Sequence, residues 1–355
     1  MHASYSRRRF LSRLTALGAM PALAACAQTT APRGAPTIQP ARTALLLPLS
    51  GPKTDLGQTM AKAVWLVEDS RGLPQRVEIF DTGPTPKGAV AAADRAEGEG
   101  AEVVIGPLFS DHTAAVMASP PKAQVVSLSN DDRLAATGAW VFGVTPAHSA
   151  IAAAGFAKKN SWDSIALMQP GGDFGAQSAT ALAAAAKTHR LKLMPPVPMA
   201  APEGLLERLK EAGGGQLPDS LYLPSADAKS RRAAQIAEQA GLGVIGSLQW
   251  ADVPTGDLAP LKTLRFAGPD PRLFNSLSSS YQSQLGEEMG ILSGLAVDAV
   301  MFANSLPRDR NGRVQMTGMP PREGLLGQCS FRKDRTCARQ LAILQLRDGR
   351  VSKVA

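Results

Sequence analysis

Cys26 is the residue whose chemistry this sequence specifies most sharply. It ends Leu23-Ala24-Ala25-Cys26, an aliphatic residue and two small ones before a thiol. That is the pattern of a bacterial lipobox, in which the cysteine is acylated before the leader is cleaved. Upstream, Ser6-Arg7-Arg8-Arg9-Phe10-Leu11 reads as a twin-arginine export signal, with the general pathway as the alternative. The apolar stretch Leu14 to Ala25 is short and interrupted by Gly18 and Pro21, which suits a leader and not a membrane span. Two or three acyl chains on one cysteine anchor stably, where one chain is marginal. Ala27 follows the cysteine and no Asp is present there to direct inner-membrane retention. The expectation is a lipid-tethered chain outside the cytoplasm, on the outer membrane where the cell has one.

Residues that could do covalent chemistry elsewhere are few. Ser50-Gly51-Pro52-Lys53 fits the S-x-x-K pattern of serine acyl-transfer enzymes. That chemistry needs the Ser at a helix start with the Lys one turn on. Gly-Pro between them favours a turn, and no K-T-G follows. No G-x-S-x-G elbow occurs, and the four histidines, at 2, 112, 148 and 189, form no metal-ligand pair. Gly171-Gly172-Asp173-Phe174-Gly175 lacks both G-x-G-x-x-G and the P-loop Lys-Ser/Thr, so it reads as a strand-to-helix turn. No enzyme activity, cofactor or metal is expected.

Cys329 and Cys337 flank the charged turn Phe331 to Arg335. An export compartment permits disulfides, so a bridge across a hairpin is expected, contributing roughly 2–3 kcal/mol. Two unpaired buried thiols are the alternative.

The elements that must position these residues follow from periodicity. Removing residues 1–25 from the 355 leaves 330, enough for two lobes. Half of the formal +8 charge belongs to Arg7, Arg8, Arg9 and Arg13 of the leader, so a nucleic-acid partner is not indicated. Residues 26–41 are Thr-, Pro-, Gly- and Ala-rich and read as a flexible tether. Short β-type runs then alternate with amphipathic stretches: strands at 43–49, 76–81, 102–105 and 123–127, helices at 56–70, 87–98 and 112–118. A second set follows, with strands at 164–168, 191–194, 220–223 and 244–248 and helices at 174–188, 203–212 and 226–240. Two helices at 271–284 and 291–306 and strands near 324–331, 337–346 and 351–354 close the chain. The Ser-rich run 276–283 reads as a polar helix face. This alternation means βαβ units and mainly parallel sheets, hence an α/β fold of two Rossmann-like lobes around a cleft.

Four segments carry a resemblance. They are Leu45-Leu46-Leu47-Pro48-Leu49-Ser50-Gly51-Pro52, Ile105-Gly106-Pro107-Leu108-Phe109-Ser110, Val126-Ser127-Leu128-Ser129-Asn130-Asp131 and Val141-Phe142-Gly143-Val144-Thr145-Pro146. In this order they resemble the type I periplasmic binding proteins of the leucine/isoleucine/valine class. More narrowly they are similar to the lipoproteins called penicillin-binding protein activators. The resemblance spans about residues 42–355. It implies a Venus-flytrap fold, with residues 42–146 and 268–324 in one lobe and 147–267 and 325–355 in the other. Chain crossings fall near 146, 250–268 and 320–326, and the lobes close over a ligand by hinge motion.

The resemblance also implies a ligand cleft. Ser110 matches the position whose hydroxyl and helix N-terminus hold an amino-acid carboxylate, with a plain helix cap as the alternative. Ser129 and Asn130 match a polar strand-end loop. Phe174 matches an aromatic position on the second lobe, often Tyr in transport members. Asp252 stands where an acid would meet a ligand ammonium, and Asp131 would disfavour a carboxylate. The expected function is a non-enzymatic envelope lipoprotein that regulates peptidoglycan synthesis through contact with a penicillin-binding protein or another envelope protein. The alternative is a transporter's solute-binding protein for an amino acid or similar small polar ligand.

Overall fold

The computed structural model describes residues 41–72, 77–347 and 350–355. The leader, Cys26 and nearly all of the tether lie outside the described residues, as does the start of the strand expected at Arg76. The described residues form one compact unit built on two large sheets and a two-stranded hairpin.

The first sheet holds β1 (Thr43–Leu47), β2 (Glu78–Asp81), β3 (Val103–Ile105), β4 (Gln124–Ser127) and β5 (Trp140–Val141). Its order is β2-β1-β3-β4-β5, parallel throughout. A parallel strand buried on both faces needs apolar residues at every position, and β1 reads TALLL. Leu45 and Leu47 pack on one face with α1 (Thr54–Ser70) and α10 (Ile291–Ala303). Ala44 and Leu46 pack on the other, with α2 (Pro86–Gly98) and α3 (Ser110–Ala118).

The second sheet has parallel β6 (Ser164–Gln169), β7 (Lys192–Leu193), β8 (Val197–Pro198), β9 (Ser220–Leu223), β10 (Gly243–Gly246) and β11 (Arg265–Gly268). Antiparallel β14 (Ala342–Arg347) and β15 (Arg350–Lys353) extend it past β11. One face carries Leu221, Leu223 and Val244 against α6 (Leu205–Ala212) and α7 (Ala228–Gln239). The other carries Ile165, Leu167, Tyr222 and Ile245 against α4 (Pro146–Lys159) and α5 (Gly172–His189). The short α8 (Thr255–Leu258) and α9 (Pro271–Leu285) complete the set.

The end of the chain departs from expectation. Two strands were expected at 324–331 and 337–346, in the second lobe. Instead β12 (Cys329–Phe331) and β13 (Cys337–Arg339) form a separate hairpin whose inward residues join the first lobe's core. Phe331 packs against Trp140, Phe142 and Phe302 at ring distances of 5.1, 5.9 and 5.2 Å, which draws the hairpin to that side. The last chain passage therefore lies between Arg339 and Leu341, not at 320–326.

The expected disulfide is also absent. Cys329 and Cys337 are buried free thiols lying side by side. The register sets Cys329 opposite Arg339 and Cys337 opposite Phe331, so the cysteines are diagonal neighbours and not a directly facing pair. A hydrogen bond from Cys329, with Arg339 nearby, draws the Cys337 thiol below its ordinary range.

Candidate functional site

A cavity of about 390 Å³ opens between the lobes. The first lobe contributes Lys53 and Leu56 at the start of α1, Leu108 and Phe109 before α3, Leu128 and Asn130 after β4, and Ile291, Leu292 and Leu295 of α10. The second contributes Pro146 and Ser149 of α4, Phe174 and Ser178 of α5, Tyr222 of β9, and Ser247, Leu248, Gln249 and Asp252 after β10. The lining is mainly apolar, from strand ends and helix starts, where α/β sheets place ligands.

The local chemistry that fixes these residues is visible in their bonds. Trp250 is fully buried and donates from Nε1 to the Leu223 carbonyl at 2.9 Å, which pins the 248–252 turn and sets Asp252 at the cleft. Ser247 Oγ donates to the Pro224 carbonyl at 2.6 Å, and Ser149 Oγ accepts from the Leu248 amide at 3.1 Å. Ser178 Oγ donates to the Phe174 carbonyl at 2.8 Å. Gly175 lets α5 start tight against the preceding loop, because a Cβ there would collide with the Pro170 carbonyl oxygen.

The residues anticipated from sequence separate into two groups. Asn130, Phe174 and Asp252 line the cavity. Ser110 does not. It is the exposed first residue of α3, and its neighbour Phe109 turns inward, stacked edge-on against His112 at 5.2 Å. Ser129 is buried and used internally, accepting from the Asp131 amide at 3.2 Å. Lys53 and Tyr222 were not anticipated as lining residues. Lys53 was visible in the S-x-x-K pattern but weighed there as a catalytic group, whereas nothing in SLYL distinguishes Tyr222 from core.

Asp131 is occupied as well. Arg133 Nη2 lies 2.7 Å from its carboxylate and 2.8 Å from Asp173 in the first turn of α5. The Arg133 guanidinium holds the Asp131 carboxyl below the usual range. The pair with Asp173 joins the lobes at the surface. Desolvation in the cleft raises the Asp252 carboxyl above its usual range, partly offset by the Ile291 amide at the N-terminus of α10. Tyr222 is fully buried, and burial raises its phenol. The Ser149 hydroxyl is near enough to stabilise the phenolate weakly but completes no hydrogen bond with it.

The profile of the periplasmic binding proteins matches residues 40–245, more than half of the chain. The chain belongs to the periplasmic binding protein family. This periplasmic binding protein is 31% identical over 144 residues to the penicillin-binding protein activator LpoA of Glaesserella parasuis serovar 5 (strain SH0165), a match covering 39% of this chain and 24% of that protein. Full-length LpoA from Haemophilus influenzae superposes with a TM-score of 0.71 at 19% identity, over 90% of this chain and 59% of that one. A Rhodospirillum rubrum protein assigned to a branched-chain amino acid ABC transporter superposes with a TM-score of 0.73 at 17% identity, over 88% of this chain and all of that one. At these identities the superpositions establish the fold. The chain thus spans well under two thirds of the activators it matches.

Proposed function

We propose that this protein is an envelope lipoprotein, anchored through Cys26, that regulates peptidoglycan synthesis by contact with a penicillin-binding protein. The observation that carries this reading is the fate of the expected amino-acid anchors. Ser110 lies outside the cavity and Ser129 is buried and internally bonded. A receptor for free amino acids would present that pair to the ligand carboxylate. Similarity to an activator over 144 residues supports the same reading.

The test is reconstitution of the full-length lipoprotein with a bifunctional penicillin-binding protein and lipid-linked precursor, following glycan polymerisation and cross-linking. A severalfold rise in either rate, with co-purification of the two proteins, is expected. Unchanged rates and no association across penicillin-binding proteins of the same cell would overturn the reading. Solute reception is the second reading, favoured by the mainly apolar, two-lobe lining of the cavity. A ligand at 100 times its Kd would stabilise the fold by about 2.7 kcal/mol.

A further inference from the structure

The chain's positive charge is gathered in one stretch. Residues 307–339 hold eight arginines and lysines and three acids, a net +5. The whole chain after the leader carries +4, so everything outside this stretch sums to −1. Two of the eight cations are spent in ion pairs, Arg308 with Glu102 and the buried Arg339 with Asp298. Arg310, Arg313, Arg322, Arg332 and Lys333 are exposed and make no ion pair among the described residues. The fold makes the stretch one surface. The 308–314 turn closes through an Arg308–Val314 bridge, Arg322 pairs with Cys329 of β12, and Arg335 donates to the Gly138 carbonyl at 2.7 Å. Val314, Met316, Met319 and Phe331 seat it on the α10 side of the first sheet. The acids at this end of the sheet, Glu78, Glu97 and Glu99, stand on the edge strand β2 and at the end of α2, which covers the other face.

The stretch also borders the root of the tether. Glu102 Oε2 accepts from the Arg42 amide at 3.0 Å and from Arg308 Nη2 at 2.6 Å, so the chain enters the fold beside the first of these cations. Arg42, Glu102, Gln124 and Trp140 mark the N-terminal ends of β1, β3, β4 and β5, whereas the cavity opens at the opposite ends of these strands. Cys26 is fifteen residues from Ala41, a reach of at most about 50 Å. From this placement we infer that the basic face rests on the anionic phospholipid of the membrane that holds Cys26, with the cleft turned away from the bilayer. A tether of this length keeps the fold near the headgroups, where each exposed Lys or Arg adds to the attraction and salt screens it. The tether root beside the face selects the lipid surface over an acidic protein, because an anchor at Cys26 presents headgroups to this end of the fold whatever else binds. The setting rests on the Cys26 anchor proposed above, while the face itself needs no acyl chain.

Flotation of residues 41–355, the compact unit without leader, tether or Cys26, tests it on phosphatidylcholine vesicles with and without phosphatidylglycerol. Binding should require phosphatidylglycerol and weaken as salt rises. Arg310→Ser, Arg313→Ser and Lys333→Ser should each weaken it by about fivefold, and together by on the order of a hundredfold. Lys210→Ser, Lys229→Ser and Lys262→Ser together remove three exposed charges of the second lobe. They should change binding by less than about threefold, a difference that net charge alone would not give. Thermal melts verify the folding of each variant. No binding, equal binding to both vesicles, or equal losses in the two triple variants overturns the inference. So does a face variant that keeps vesicle binding but loses co-purification with the penicillin-binding protein, which would give the face to a protein. Acylation of Cys26 is read separately by labelled palmitate and activation by the reconstitution assay, so the three ideas fail separately.

Discussion

Acid should destabilise this fold through His148 before most of its carboxylates titrate. His148 sits in the first turn of α4, where the chain has just passed from the first lobe to the second. Its Nδ1 accepts from the Thr145 amide at 3.0 Å, so Nε2 carries the proton and donates to the Cys337 carbonyl at 2.7 Å. Protonation would set an Nδ1–H against the Thr145 N–H, in a site nearly closed to solvent with Arg339 and Arg332 nearby. Burial is the largest cause, and it lowers the imidazole from 6.5 to about 4. The unfolded chain takes up this proton near its ordinary value and the folded chain only near 4. The stabilisation is therefore complete above about pH 6.5 and is lost as pH falls toward 4. At about 1.4 kcal/mol per pH unit, the loss is about 3 kcal/mol. Urea unfolding from pH 7.5 to 4, on the native sequence and His148→Gln, isolates the effect from the carboxylates. The variant should be less stable at pH 7.5, and the gap should close by about 3 kcal/mol at pH 4. Parallel curves would refute the argument.

Three further outcomes are expected. Asp298 and Arg339 form a buried ion pair at 3.2 Å, with side chains 4% and 0% exposed. Asp298→Asn should cost about 3–5 kcal/mol in denaturant unfolding because it leaves a buried guanidinium unpaired. Gly175→Ala places a methyl against the Pro170 carbonyl, so it should cost about 1–3 kcal/mol, read as a fall in Tm. Cys329 and Cys337 should resist a thiol reagent in the native protein and both react on unfolding without reductant; peptide mass mapping that finds neither labelled would show a bridge.

Local pattern carried much of the fold because the sheets are parallel and covered on both faces. TALLL reads as a buried strand from composition alone, and the structure divides its residues between two helix layers. Asn130, Phe174 and Asp252, which the family resemblance placed at the cleft, line the cavity. Ser110 failed because one residue's rotation at a helix start decides which side chain turns inward, and here it is Phe109. Tyr222 was illegible because its free hydroxyl depends on neighbours from α4, not on its strand. The hairpin's attachment depended on Phe331 finding Trp140, Phe142 and Phe302, contacts set by packing across distant sequence.

The late passage at 339–342 also bears on the order in which the molecule can assemble. The first sheet is complete by Val141, yet its core awaits α10 and the hairpin, made more than a hundred residues later. In the second sheet, β11 pairs with β10 on one side only until β14 emerges. Each half is finished by segments synthesised after the other half has begun. Neither can mature alone during synthesis, and an unpaired β11 edge persists until the last residues arrive. Such interleaving ties the halves into one cooperative unit, so truncation before residue 342 should leave both unfinished.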